Sequence, residues 1–220
     1  MTYSSVTGRT YVLILSKTTA TGAVTDVEDD ADNEWERLDY APKTGSAGRR
    51  IEAWICTPTV PFSEITVTNP GGQTYGVLVE VTGSNGVVNA VNADFRTGST
   101  SPARVEITPT QADTLVIAAV MANSNTVADI TAPPEWTALA SHADGPKVIY
   151  RTGVAADVAV GVDYEFEVSQ GSGHIILALE AGADVSIAVT VWVGGVELPA
   201  HIEGVWNGAS IDSASISSLT

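Results

Sequence analysis

Few residues in this chain have types and spacings that suggest chemistry. Gly171-Ser172-Gly173-His174 brings a hydroxyl and an imidazole together as a nucleophile loop would. It lacks the Gly-x-Ser-x-Gly pattern, and a hairpin turn leading into the apolar stretch Ile175 to Leu179 explains it better. The histidines, His142, His174 and His201, are widely spaced, and none belongs to a His-Glu-x-x-His metal pair. Cys56 follows Ala53-Trp54-Ile55 and reads as a small buried hydrophobe, since no His and Asn stand beside it to make it a nucleophile. The densest set of hard oxygen ligands is the acidic segment 26–34, in which Asp26, Glu28, Asp30 and Asp32 alternate in a way that suits calcium. It departs from an EF-hand loop, with Ala31 at the turn glycine and Arg37 at the closing bidentate acid. A solvated acidic loop is the plainer expectation. No catalytic residue and no cofactor-binding residue is therefore assigned, and the metal candidates stop at those four carboxylates.

The elements that must position these groups follow from composition and periodicity. The chain has 220 residues, 44% hydrophobic and 16% charged, which is enough apolar material for a core of its own. Its 26 acidic against 10 basic side chains give a net charge of −16, and Arg49-Arg50 is the one adjacent basic pair. Such a chain repels polyanions, so neither nucleic acid nor an anionic membrane is expected as a partner. The longest apolar stretch, Leu115 to Ala122, is far short of the roughly 20 residues of a membrane-spanning helix. The first residues lack a charged and then apolar leader, so synthesis in a cytoplasm is expected. A single cysteine leaves stability to packing rather than to disulfides.

Periodicity is that of strands throughout. Tyr164-Glu165-Phe166-Glu167-Val168 alternates apolar and acidic side chains, as do Ile65-Thr66-Val67-Thr68 and Arg104-Val105-Glu106-Ile107 in milder form. Val12 to Leu15, Leu115 to Met121 and Ile175 to Leu179 are continuously apolar, which suits central strands covered on both faces. Asn69-Pro70-Gly71-Gly72, Gly83-Ser84-Asn85-Gly86 and Asp144-Gly145-Pro146 punctuate them as turns. Almost no helix is expected; the class is all-β, a jelly-roll-like antiparallel sandwich.

The chain is also duplicated. Tyr11–Ile14, Glu34-Trp35-x-x-Leu38, Arg50–Trp54, Ile65–Thr68 and Val77–Gly83 are answered in order by Leu115–Ala118, Glu135-Trp136-x-x-Leu139, Lys147–Tyr150, Tyr164–Glu167 and Leu177–Gly182. Trp136 follows Trp35 by 101 residues and Glu180 follows Glu80 by 100, so the register holds across each half. The pseudo-repeats run over about 10–83 and 113–182, and each has an apolar face that the other should bury, giving one sandwich over 1–182. Trp35 and Trp136 are expected as equivalent core residues rather than ligand contacts. A second, shorter repeat fills 183–220: Val191-Trp192-Val193-Gly194-Gly195-Val196 is echoed after 14 residues by Val205-Trp206-Asn207-Gly208-Ala209-Ser210. Gly194-Gly195 and Asn207-Gly208 suit two-residue hairpin turns, so a double-hairpin module is expected. Isolated hairpins are marginal in water; this one should dock on the sandwich, on copies of itself or on another protein, with Trp192 and Trp206 as anchors.

Taken together, Pro133-Pro134-Glu135-Trp136-Thr137-x-Leu139, Val148-Ile149-Tyr150-Arg151, Tyr164-x-Phe166-x-Val168 and Glu180-Ala181-Gly182 resemble two-repeat β-sandwich domains of tailed-phage virion proteins. The Trp192 and Trp206 tail is similar to C-terminal modules of minor tail proteins from phages of actinobacteria. The first repeat departs from the pattern, reaching Trp35 without prolines. The resemblance implies a non-enzymatic virion component, most simply a minor tail protein working in assembly or host-surface adhesion. It implies no cofactor, and as partners other virion proteins, further copies of the chain and a host glycan. A capsid decoration protein and a carbohydrate-binding module are the alternatives.

Overall fold

The computed structural model describes residues 4–17, 24–41, 50–68, 74–96, 103–122, 130–131, 133–139, 145–166, 171–193, 196–205 and 215–218. These form fifteen strands and, among the described residues, no helix. The first half contributes β1 (Thr10–Lys17), β2 (Asp26–Asp29), β3 (Glu36–Ala41), β4 (Arg50–Cys56), β5 (Ile65–Thr68) and β6 (Thr74–Arg96). The second contributes β7 (Ala103–Ile107), β8 (Thr114–Ala122), β9 (Ile130–Thr131), β10 (Thr137–Ala138), β11 (Lys147–Val154), β12 (Val160–Phe166) and β13 (Ser172–Val193), and the chain ends in β14 (Val196–Val205) and β15 (Ser215–Ser218). Every pairing is antiparallel.

The duplication read from the residues is a duplication of topology. The main sheet runs β10-β11-β8-β13-β6-β1-β4-β3, and exchanging β1, β3, β4 and β6 for β8, β10, β11 and β13 reverses that order without changing it. The small sheets match as well, β2 with β5 in the first half and β9 with β12 in the second, where β7 adds a third strand. The two halves therefore meet where β6 pairs with β13, around a pseudo-twofold relation.

Length explains what happens at that junction. β6 has 23 residues and β13 has 22, far beyond the usual strand. Thr74–Val81 of β6 pairs with β1, whereas Val88–Arg96 runs on to pair with Leu179–Ser172 of β13. Ser186–Val193 of β13 continues along Thr82–Tyr75 of β6, and register irregularities run from Ala178 to Ser186, the first of them skipping Asn89 at the end of the Val88–Arg96 stretch. There the hydrogen-bonded sheet folds over on itself. In sequence of strands β4 is three places from β13, about 14 Å in a flat sheet at ~4.8 Å per strand. Yet a Cβ built on Gly173 of β13 would lie only 3.1 Å from Ile51 Cγ2 of β4.

The result is four layers with three apolar interiors. Val12, Ile14, Ile51, Ala53, Val77 and Val79 pack against Leu115, Ile117, Met121, Tyr150, Ile175 and Leu177 in a central core shared by both halves. The opposite face of β1 and β4, with Tyr11, Leu13, Leu15 and Trp54, packs under β2 and β5 through Val27, Phe62 and Trp35. The opposite face of β8, with Val116, Ala118 and Val120, packs under β7 and β12 through Val105, Ile107, Val162 and Tyr164. The fold is thus the expected all-β antiparallel sandwich of two repeats, with the halves burying apolar faces against each other. What the expectation of one apolar face per half lacked is the outer cover: each half brings its own small sheet. The apolar runs within β1 (Val12 to Leu15) and β8 (Leu115 to Ala122) are buried at every position because they face a core on both sides.

The change of character after Gly182 falls inside β13, whose next residues stay in the ladder, with Val185, Ile187 and Val189 buried in the central core. β13 and β14 pair up to Val193↔Val196; Gly194-Gly195 and Asn207-Gly208, where hairpin turns are expected, lie outside the described residues.

Candidate functional site

The acidic segment is built around its own main chain. Alternation on β2 exposes Asp26 and Glu28 and turns Val27 and Asp29 inward. Asp29, which the calcium pattern omitted, is the organising residue. Its carboxylate accepts from the Ala31 amide (2.9 Å), the Asn33 amide (3.1 Å) and side chain, and Trp35 Nε1 (2.9 Å). Asp30 reaches the other way, accepting from the Ser63 amide (2.7 Å), the Ser63 hydroxyl (2.6 Å) and the Glu64 amide (3.1 Å). The Ser63 hydroxyl bond, ahead of the two amides, holds its pKa below the usual carboxylate value. Asn33 Oδ1 completes the clamp by accepting from the Thr59 and Val60 amides (2.9 and 3.1 Å). Asp32 is exposed in the left-handed region, at φ 55°. Of the four candidate ligands, then, Asp26 and Glu28 share the outer face of β2 while Asp30 is turned to residues 63–64. Among the described residues no three His, Cys, Asp or Glu side chains gather so as to hold a metal ion.

Two polar groups lie inside the apolar layers. At one end of the first half, Glu52 is fully buried, and its Oε1 takes Arg50 Nε at 2.7 Å and the Val24 amide at 2.9 Å. Arg37 Nη1 stands 3.9 Å from Glu52 Oε2, and Lys17, paired across β1 and β4 with Arg50, is buried beside them. Burial lowers the Lys17 pKa, Glu52 opposing that and Arg50 adding to it. Arg50 stacks on the Tyr40 ring at 4.1 Å, and Arg37 lies 5.0 Å from the same ring and 5.5 Å from Trp54. One carboxylate thus collects three cations and two rings. The signal for it was Arg50 and Glu52 two apart in an otherwise apolar strand, which puts both charges on one covered face.

The second group contains Ser172 and His174, neighbours on one face of β13. Ser172 Oγ and His174 Nε2 are 2.7 Å apart, and the Tyr164 ring centroid is 5.5 Å from the imidazole. Both residues are buried, and burial pulls the His174 pKa down to about 4, with Asp94 raising it and Arg96 lowering it. Burial likewise raises the Tyr164 phenol. The base and hydroxyl are in contact within the apolar layer between β13 and β12, closed off from solvent.

Cys56 is buried beside Asp29, and burial, with that charge adding, pushes its thiol up to about 12. Trp35 and Trp136 are both buried, each just ahead of the short strand that follows it, and each beneath its own small sheet. They fill the core as expected. Of the anchors expected in the tail, Trp192 lies on β13 opposite Gly76 of β6 and Glu197 of β14, and Trp206 lies outside the described residues, as does His142.

No family model and no curated protein matches the chain. Among solved structures it is similar to one titled BspA_C_mut, with 8% identity, 86% of this chain and 81% of that one covered, and a TM-score of 0.19. It is also similar to the C-terminal domain of the Streptococcus pyogenes antigen I/II-family protein AspA, with 8% identity, 84% and 82% covered, and a TM-score of 0.17. Likenesses this distant carry no argument, and the assignment of a role rests on the chain's own residues.

Proposed function

We propose that the chain is a non-enzymatic structural protein of a bacteriophage particle, a minor tail protein that works in assembly or host-surface adhesion. The observation that carries this reading is the duplicated sandwich joined through β6 and β13, whose last strand pairs with β14, and β14 in turn with β15. A rigid body that extends its own sheet outward offers main-chain edges for joining neighbours, which suits a component of a repeating assembly. The motif resemblance at Pro133–Leu139 and Glu180–Gly182 points the same way. The buried position of Ser172 and His174 supports a structural over a hydrolytic role for the one nucleophile-like pair.

Antibody raised against the purified chain and imaged on negatively stained particles tests this. Label on the tail is the expected result. Label on the shell reassigns the chain to capsid decoration, and particles without label, from a preparation in which the chain is expressed, overturn the virion reading altogether.

A further inference from the structure

The two repeats differ at the outer edge of their last strand. In the second, β13 runs beyond its own repeat and β14 pairs along that stretch, from Ser186↔Val205 to Val193↔Val196. In the first, β6 also runs beyond its repeat, but Val88–Arg96 pairs inward with β13 alone. Among the described residues no strand lies on its outer side, because the next strand, β7, belongs to the small sheet. Side-chain bonds from Asn92 Nδ2 to Glu106 O (3.0 Å) and from Arg96 Nη2 to Arg104 O (3.4 Å) tie this stretch to β7 without a main-chain ladder.

Apolar side chains alternate with polar ones along this edge. Val88, Val91 and Phe95 sit half-buried at the rim of the central core, Ala90 at the rim of the next, and Val87 is 46% exposed. It carries no lysine or proline, and its two charges, Arg96 and Asp94, pair with each other at 2.8 Å. By contrast the sheet edge at β3 carries Glu36, Arg37 and Asp39 and a register irregularity between the last two. Charges and bulges are what keep an edge from pairing; the β6 edge has its register irregularity at Asn89, between Val88↔Leu179 and Ala90↔Ala178, and from Ala90 to Arg96 its register is regular, with its charges confined to the paired Asp94 and Arg96.

The chain also holds a spare strand. The 14-residue repeat that matches Val191-Trp192 to Val205-Trp206 and Ile202 to Ile216 maps β15, Ser215–Ser218, onto the end of β14. β14 fills the slot of the second repeat. Its sequence counterpart β15 is the outermost strand, paired with β14 on one side and with nothing described on the other.

We propose that β15 of one copy pairs antiparallel with the Val88–Arg96 edge of β6 in a second copy, so that the first repeat's slot is filled in trans by the counterpart of the strand that fills the second repeat's slot in cis. The contact is head-to-tail and links copies into a ring or a chain. It gives the assembly role proposed above a specific contact, and its test is independent of where the protein sits in a particle.

Analytical ultracentrifugation of purified protein provides that test, with three proteins: the full chain, a chain ending at Val205, and an edge variant carrying Val87→Lys and Ala90→Lys. The full chain is expected to sediment as multimers and each altered chain as a monomer with a cooperative melt. Mixed, the truncated chain supplies the slot and the edge variant supplies the strand, so the mixture gives one-to-one dimers and nothing longer. A full chain that is monomeric at tens of micromolar, or a mixture that stays monomeric, overturns the proposal. So does a truncated chain that still self-associates, which would assign the edge to a second β6. Should the edge variant not fold, a synthetic peptide of residues 210–220 replaces it: saturable binding to the truncated chain supports the proposal and its absence sinks it. Unlabelled particles in the imaging experiment would remove the virion reading and leave this result standing, and the converse holds.

Discussion

His174 shows how a single residue changes meaning between sequence and structure. Beside Ser172 in a glycine-rich stretch it suggests a base; in the fold it is a buried imidazole between Ser172 Oγ and the Tyr164 ring, with Asp94 opposite it on β6. Burial favours the neutral form, so its pKa falls from 6.5 to about 4. Between those values the unfolded chain binds the proton and the folded chain does not. The stabilisation is therefore complete above pH 6.5, is lost as pH falls toward 4, and amounts to about 3 kcal/mol over the window. Melting midpoints measured from pH 7 to pH 4 should decline more steeply for the native protein than for His174→Gln; parallel curves would show that another group titrates there. Trp35 and Trp136 make the complementary case. Their shared Glu-Trp-x-x-Leu setting already indicated equivalent core positions, but that Trp35 Nε1 bonds Asp29 at 2.9 Å was invisible, because Asp29 reads as one acid among many until its neighbour's alternation turns it inward.

At the scale of elements, a strand's pattern reports how many of its faces are covered. β1 and β8 read as continuous apolar runs because each lies between two cores, and β12 alternates because it belongs to an outer sheet. What no strand reports by itself is the fold of the sheet between β6 and β13. The close approach of Gly173 to Ile51 is the sensitive point. Gly173→Val should overpack that contact and lower stability by about 1–3 kcal/mol, and in an Ile51→Ala background the same change should cost less. Denaturant unfolding of the two single variants and the double variant measures the coupling, and additive costs would contradict the face-to-face packing. The same geometry explains why Arg50 and Glu52 are buried together. Both project from β4 to the side covered by the outer layer of the first half, where a carboxylate survives by collecting cations.

For the molecule as a whole, the decisive feature is that neither repeat is closed without the other. The last strand of each half completes the sheet of its partner, so the change of composition after Gly182 is not a place where the chain can be cut. Ending the chain there removes Val185, Ile187 and Val189 from the central core. At about 1.5–3 kcal/mol for each buried aliphatic side chain, the loss rivals the roughly 5–15 kcal/mol by which a domain is stable. A chain ending at Gly182 should therefore lack a cooperative melt, whereas one ending at Val205 should keep it; calorimetry of both decides, and a cooperative 1–182 fragment would show that the tail is separable. The net charge of −16 acts at this scale too, keeping the exposed surface solvated.

From the residues alone, the all-β class, the two repeats, their doubly covered central strands and the buried tryptophans were determined, because alternation, turn residues and repeat spacing are local properties of the chain. Only the tertiary structure decided that the sheet folds over at β6 and β13, that each half brings its own outer sheet, that Asp29 and Glu52 are structural acids, and that, among the described residues, one repeat's outer edge is paired while the other's is not. Those depend on which distant strands hydrogen-bond, and pairing between strands about a hundred residues apart leaves no period in the sequence to read.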